Sequence, residues 1–361
     1  MWAAEYGCGS GHTIARIGRS FRPERKGRRI TVAHDVLTMG RISVDVYPQD
    51  IGVGLADVAT FAKYLGGSPS NVAVAAARHG RRSAVITRTG QDPFGEYLHR
   101  ELQKFGVDDT MVSAVPGLQT PVTFCAIRPP DDFPLYFYGR FPTAPDLQIS
   151  AGELNLEAIR DADIFWSTVT GLCQEPSRAA HLAAHEARPR DTLAPGRHTV
   201  LDLDYRPMFW PSEQEAREEI ARILPFVTVA VGNTTECAVA VGTGTPDEQA
   251  DRLLATGVRL AVVKLGPDGV MAKTESERVV SAPVPVQTVN GLGAGDAFGG
   301  ALCHGLLAGW PLAAVLEYAN AAGALVASRI SCADAMPTPA EVTGLLAERG
   351  RMVPELLEAR P

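Results

Sequence analysis

The chain has 361 residues, which at roughly 150 residues per domain is enough for two domains, or for one large α/β domain with an appendage. Hydrophobic residues make up 45% and charged residues 21%, ordinary globular usage that excludes wholesale disorder and leaves material for a sizeable core. The net charge of −7 speaks against a nucleic-acid partner, which calls for a basic surface, and no run reaches the 18 or so unbroken apolar residues of a membrane span.

The first stretch differs from the rest. Met1 to Arg29 carries seven basic residues against two acids and almost no apolar periodicity. It lacks the apolar core of a signal peptide, so residues 1–30 are expected to be a basic, disordered extension. Six scattered cysteines (Cys8, Cys125, Cys173, Cys237, Cys303, Cys332) with no C-x-x-C pair suit reduced thiols and a cytoplasmic location.

Order is expected from about residue 31. Val36 to Met39 reads as a buried strand stopped by Gly40. A helix follows Gly67 through Asn71 to Ala77, then a strand at Ala84 to Thr87. Phe94, Leu98, Leu102 and Phe105 fall at helical spacing before Gly106. Further short apolar strands are expected at Ile164–Trp166, Val200–Leu203, Val227–Val231 and Leu260–Val263, with helices between most of them. Such strands alternating with helices indicate an α/β fold, a largely parallel sheet covered on both faces. Two stretches, about 43–59 and 120–140, break the rhythm and read as strands of a small β lid over the carboxyl ends of the sheet. Residues 31–345 would then be one domain, and 346–361 a tail.

The strongest chemical signal is Asn290-Gly-Leu-Gly-Ala-Gly-Asp296. A glycine loop that opens a helix aims free N–H groups and the positive end of the helix dipole at one spot, which suits phosphate. The amides of Gly293, Ala294 and Gly295 would form the anion hole. Asp296 stands at its lip, placed to take a proton from an attacking hydroxyl. A tight strand–helix turn without a ligand is the plainer alternative. The pattern G-x-x-x-x-G-K-[ST] is absent, and a dinucleotide fingerprint would need glycine where Asp296 stands. A second loop, Gly66-Gly67-Ser-Pro-Ser-Asn71, also opens a helix. It reads either as a sugar contact through Asn71 or as a simple N-cap.

These two loops, in this order and at this spacing, resemble the two signatures of the ribokinase-type (PfkB) carbohydrate kinases, over about Val36 to Thr338. The resemblance implies a ribokinase-like fold and transfer of phosphate from ATP with Mg2+. It also assigns roles. Asp45 would bind sugar hydroxyls with Gly66, Gly67 and Asn71. Asn233-x-x-Glu236 would organise magnesium and phosphates, Glu236 reaching the metal through water. Lys264, Gly266 and Gly269 would border the nucleotide, and Asn320 would lie on a small-residue helix beside adenine.

Within the family the Leu65–Ala73, Pro130–Tyr138, Leu201–Trp210 and Asn290–Asp296 segments resemble kinases of sugar acids. The implied substrate is 5-dehydro-2-deoxygluconate, phosphorylated at its primary hydroxyl in myo-inositol breakdown. Alternatives are 2-dehydro-3-deoxygluconate, fructose or ribose, or a non-catalytic sensor on the same fold. A sugar acid needs a cation: Arg206 is the first candidate and Arg140, beside Tyr138 on the lid, the second. The family usually carries Asp and Thr where this chain has Asn290 and Gly291, which argues against a monovalent-cation site. The resemblance allows a homodimer through the lid.

Overall fold

The computed structural model describes residues 33–353, so the basic extension expected over residues 1–30 and the end of the C-terminal tail lie outside the described residues. In chain order the main sheet takes β1 (Val36–Met39), skips a hairpin of β2 (Ser43–Pro48) and β3 (Phe61–Gly66), and resumes after helix α1 (Ser68–Arg78) with β4 (Ser83–Gly90). Helix α2 (Pro93–Lys104) and β5 (Val112–Val115) complete that edge, and β6 (Val122–Cys125) and β7 (Leu135–Tyr138) return to the hairpin. Then come α3 (Leu156–Asp161), β8 (Ile164–Thr168), α4 (Ser177–Glu186), β9 (His198–Asp202), α5 (Glu213–Ile223) and β10 (Val229–Asn233). Helices α6 (Thr234–Val241) and α7 (Pro246–Ala255) precede β11 (Leu260–Lys264), β12 (Val270–Lys273) and β13 (Arg278–Ser281). Helices α8 (Ala294–Leu307), α9 (Leu312–Ala327) and α10 (Pro339–Glu348) close the fold.

The main sheet has nine strands in the order β13-β12-β11-β10-β9-β8-β1-β4-β5. From β5 to β11 neighbouring strands are parallel, while β12 and β13 add an antiparallel edge. The strands are nearly continuous apolar runs because both faces are covered. Along β1, Val36 packs in the cluster built on α1, α8 and α9, whereas Leu37 and Met39 pack with Ala180 and Ala184 of α4 on the other face. Close helix packing explains the small residues of α8: a Cβ on Gly300 would strike the α1 backbone at Ala75 and Ala76, and one on Gly299 the Trp166 ring.

The second sheet, β3-β2-β6-β7, is the lid. Its return strand starts at Phe61, beyond the 43–59 stretch that the sequence suggests, because 49–60 is spent on a turn-rich connection. Period-two alternation gives the lid an inner face with Asp45, Tyr47, Thr123 and Leu135, and an outer face where Phe61, Phe124 and Tyr138 stack edge to face at 5.6 and 5.4 Å.

Candidate active site

The carboxyl ends of β1, β9, β10 and β11 open beneath the lid on a cavity of about 400 Å3. This is where ligands sit on open α/β sheets. Gly293 caps α8 in the left-handed region (φ 79°). It is also tightly packed, since a Cβ there would lie 2.6 Å from the Cys332 sulfur. Both demands select glycine. The free N–H groups of the first α8 turn therefore face the cavity beside Gly295 and Asp296, and a Cβ on Gly295 would sit 3.4 Å from Lys264 Nζ. Ala294 lies between these glycines in the chain, its carbonyl packed against Gly323 of α9.

Asp296 is held by neutral donors. Ser68 Oγ donates to its Oδ1 at 2.7 Å and Asn71 Nδ2 to its Oδ2 at 2.8 Å. Burial raises its pKa above the ordinary carboxylate value, and the Ser68 and Asn71 bonds only partly oppose this. Asn71 Oδ1 is buried without a partner among the described residues, an acceptor open to a hydroxyl. On the lid side Asp45 accepts from Ser43 Oγ at 2.8 Å, and burial pushes its carboxyl up to about 6. Gly67 lines the wall, while Gly66 works behind it: a Cβ there would overlap the Asp45 carboxylate.

The opposite wall is charged. Asn233 and Glu236 form a capping box on α6, with Glu236 N–H donating to Asn233 Oδ1 at 2.9 Å and Asn233 N–H to Glu236 Oε2 at 2.8 Å. Glu236 Oε1 remains to face Arg206 Nη1 at 3.5 Å. Lys264 Nζ stands 4.0 Å from both Asp202 and Glu236, whose charges outweigh the burial that would lower its pKa and raise it instead. Burial, only partly countered by Lys264 and reinforced by neighbouring carboxylates, pushes Asp202 up to about 7. Gly266 borders the cavity next to Lys264. Among the described residues no three His, Cys, Asp or Glu side chains form a ready metal cage. Oxygen donors spread over Asp202, Asp204 and Glu236 suit a hard cation that keeps its waters and shares phosphate oxygens, which is how Mg2+ is commonly bound.

Several expected site residues lie elsewhere. Arg140 is buried in a bidentate pair with Asp146, at 3.0 and 3.1 Å, with the Phe209 ring 4.7 Å from its guanidinium. It lines a separate hollow with Trp210 and Cys173. Its charge is already matched by Asp146, so it does not reach from the lid into the site. Tyr138 is 61% exposed on the outer face of β7, and it is Phe137, one residue earlier, that faces inward. Leu-Tyr-Phe-Tyr shows no polar alternation, so the sequence hides the parity. Asn320 donates to Ser281 Oγ at 3.0 Å and to the Ala282 carbonyl at 3.2 Å, tying α9 to the end of β13. Gly269 (φ 95°) makes the turn into β12, where a Cβ would strike the Ser281 carbonyl.

Arg206 does line the cavity, but its partners are the protein's own. Nη2 bonds Asp204 Oδ1 at 2.6 Å and Nη1 donates to the Tyr205 carbonyl at 3.1 Å. Sequence reasoning passed over Arg41, whose buried guanidinium shares Asp204 from the other side, and Ser68 as a partner of Asp296. Arg41 follows the carboxyl end of β1 as Arg206 follows that of β9, and strand ends of this kind carry ligand sites. Asn290 Nδ2 donates to the Ile330 carbonyl at 2.6 Å and its Oδ1 accepts from Leu292 N–H at 3.0 Å. The amide completes this turn without a charge.

An anion-ready helix start, an adjacent buried carboxylate and the β lid thus meet in one cavity at the carboxyl end of the sheet. The sequence model of the pfkB family carbohydrate kinases matches residues 33–339, and the chain belongs to that family. It is a carbohydrate kinase. It is 32% identical over 315 residues to a 5-dehydro-2-deoxygluconokinase of Geobacillus kaustophilus, covering 85% of this chain and 92% of that one. It is 30% identical over 323 residues to a protein of the same name from Clostridium tetani, covering 87% and 93%. A fructokinase of Xylella fastidiosa with bound ATP shares the fold, with TM-score 0.75, 24% identity and coverage of 88% and 100%. Among the described residues no helix is long and apolar enough to cross a membrane.

Proposed function

We propose that the chain transfers the γ-phosphoryl group of ATP to the primary hydroxyl of a sugar acid, 5-dehydro-2-deoxygluconate, giving the 6-phosphate and ADP. The observation that carries the reading is Asp296, a buried carboxylate on neutral donors at the mouth of the α8 N-terminus. In this reading Asp296 takes the hydroxyl proton as the oxygen attacks phosphorus and the bond to the bridging β–γ oxygen breaks. The amides of Gly293 to Asp296 and the Lys264 ammonium hold charge on the moving phosphoryl group. Mg2+, held through water near Asp202 and Glu236, would neutralise phosphate charge. Asp45 and Asn71 orient sugar hydroxyls. Two guanidiniums, Arg41 and Arg206, face the cavity, which supports an anionic substrate over fructose or ribose.

A coupled ADP-release assay across sugars and sugar acids tests this. The highest kcat/KM is expected on 5-dehydro-2-deoxygluconate. A neutral hexose or pentose outranking every acid would overturn the substrate, and no turnover on any of them would favour the sensor alternative. The exposed aromatic face of Phe61, Tyr136 and Tyr138 supports pairing of two copies through the lid, checked by light scattering of wild type against Tyr136→Glu/Tyr138→Glu.

A further inference from the structure

Arg41 is the most buried of the three cavity-wall cations Arg41, Arg206 and Lys264, and its own partners leave it poorly satisfied. Its side chain is 7% exposed. Nη2 donates to Asp204 Oδ2 at a long 3.3 Å, and Nε is buried without a partner among the described residues. A guanidinium carries five N–H donors in a planar fork. Keeping such a charge out of water on one weak hydrogen bond is unfavourable unless another anion joins it.

The neighbouring cations are more open to water, Arg206 at 32% and Lys264 at 23% exposed, although Arg206 Nε too is buried without a partner among the described residues. Arg206 takes Asp204 Oδ1 at 2.6 Å and also leans on Glu236 and the Tyr205 carbonyl. Lys264 stands between Asp202 and Glu236. Asp204 thus meets two guanidiniums with its two oxygens and grips Arg206 more closely. Arg41 combines the deepest burial with a single long hydrogen bond. The Phe137 ring of the lid lies 5.6 Å from the guanidinium carbon and is itself stacked on Phe209 at 4.8 Å. That apolar plate restricts the plane of the fork and screens it from solvent. An anion arriving beneath the lid would meet an oriented donor pair in a dry setting, where a bidentate contact is strongest.

We infer that Arg41, rather than Arg206, is the specificity-determining residue that binds the carboxylate of the sugar acid. The inference rests on the sugar-acid reading above. Arg206 is then held by the protein's own Asp204, Glu236 and Tyr205 carbonyl and does not select the substrate.

The test compares kcat/KM for the sugar acid and for its neutral carboxamide in wild type, Arg41→Ala, Arg41→Lys and Arg206→Ala, with melting curves to confirm folding. The carboxamide keeps every hydroxyl and loses only the charge. Wild type should prefer the acid by on the order of 10²-fold or more, the usual loss when one partner of a buried charged pair is removed. Arg41→Ala should abolish most of that preference while the KM for ATP stays near wild type. Arg41→Lys should restore part of it, and added guanidinium ion should partly rescue Arg41→Ala on the acid alone. Arg206→Ala should slow both substrates alike. An Arg41→Ala protein that keeps the preference overturns the inference, as does its selective loss in Arg206→Ala. A wild type that ignores sugar acids but phosphorylates neutral sugars removes the underlying reading and the inference with it.

Discussion

Asp296 and Asp204 line one cavity, yet their partners differ in kind. Asp296 meets a hydroxyl and an amide, from Ser68 and Asn71. Asp204 meets two guanidiniums, those of Arg41 and Arg206. Neutral donors orient a carboxylate without fixing its charge, and burial then moves its affinity for a proton upward. Asp204 turns one oxygen to each guanidinium and is occupied in holding those cations. On the proposed reading the same residue type is a proton acceptor on one wall and an anchor for cations on the other, and the division is set by the partners.

The largest expected effect falls on the neutral side. Asp296→Asn keeps both hydrogen-bond contacts in outline but cannot take a proton. Its kcat should fall at least about 10²-fold, the usual contribution of a positioned general base, while ATP affinity by titration stays close to wild type. A variant with near-normal kcat would assign proton removal to another group.

How far the sequence discloses this division depends on the kind of interaction. The glycine loop is legible because Gly293 answers two local demands, a left-handed backbone and contact with Cys332. Most strands are legible because burial on both faces makes them continuous apolar runs. The exposed edge strand β13 and the parity of β7 are not, since neither shows its environment in its composition. Pairings between distant residues are hidden more deeply. Arg140 looks like a ligand-binding arginine until Asp146, six residues on, is seen to turn back onto it through both oxygens. Arg41 and Asp204 are 163 residues apart, and only the neighbouring strand ends bring them together.

Asp202 sharpens the comparison because it belongs to the charged wall yet is held near neutrality. Its carboxyl is pushed to about 7, and that of Asp45 to about 6, from an ordinary value of 3.8, mainly by burial. Between about pH 4 and pH 7 the folded chain retains protons that the unfolded chain has released. Stability without ligand should therefore be highest below this window and fall as pH rises through it. Asp202→Asn keeps this one position neutral at every pH. The ligand-free variant should melt a few degrees above wild type at pH 8, with the gap closing near pH 4, and its gain in melting temperature from Mg2+ and ATP should be smaller. A variant less stable than wild type at pH 8 would mean that Lys264 holds Asp202 as an anion, on the pattern of Asp204.

The smallest effect on catalysis is expected at Arg140, whose buried bidentate pair with Asp146 lies outside the cavity. Arg140→Met leaves Asp146 buried, 2% exposed, without its cation, a change that costs about 3–5 kcal/mol when a buried pair is broken from one side. The double change Arg140→Met/Asp146→Leu removes both charges and should recover much of that loss, since two apolar groups need no partner. Both proteins should keep wild-type kcat/KM at temperatures where they stay folded. The measurement is thermal melting beside kinetics on the sugar acid and its carboxamide. Arg140 also packs on Phe209, which stacks on Phe137 over Arg41, so one route to the cavity exists. If the single variant shifted the ratio of acid to carboxamide while the double variant restored it, the aromatic stack would be carrying the Arg140 charge state to the Arg41 fork. The separation between structural and substrate-facing cations would then be one of degree. An unchanged ratio in both would place the boundary at Phe137, with packing on one side and recognition on the other.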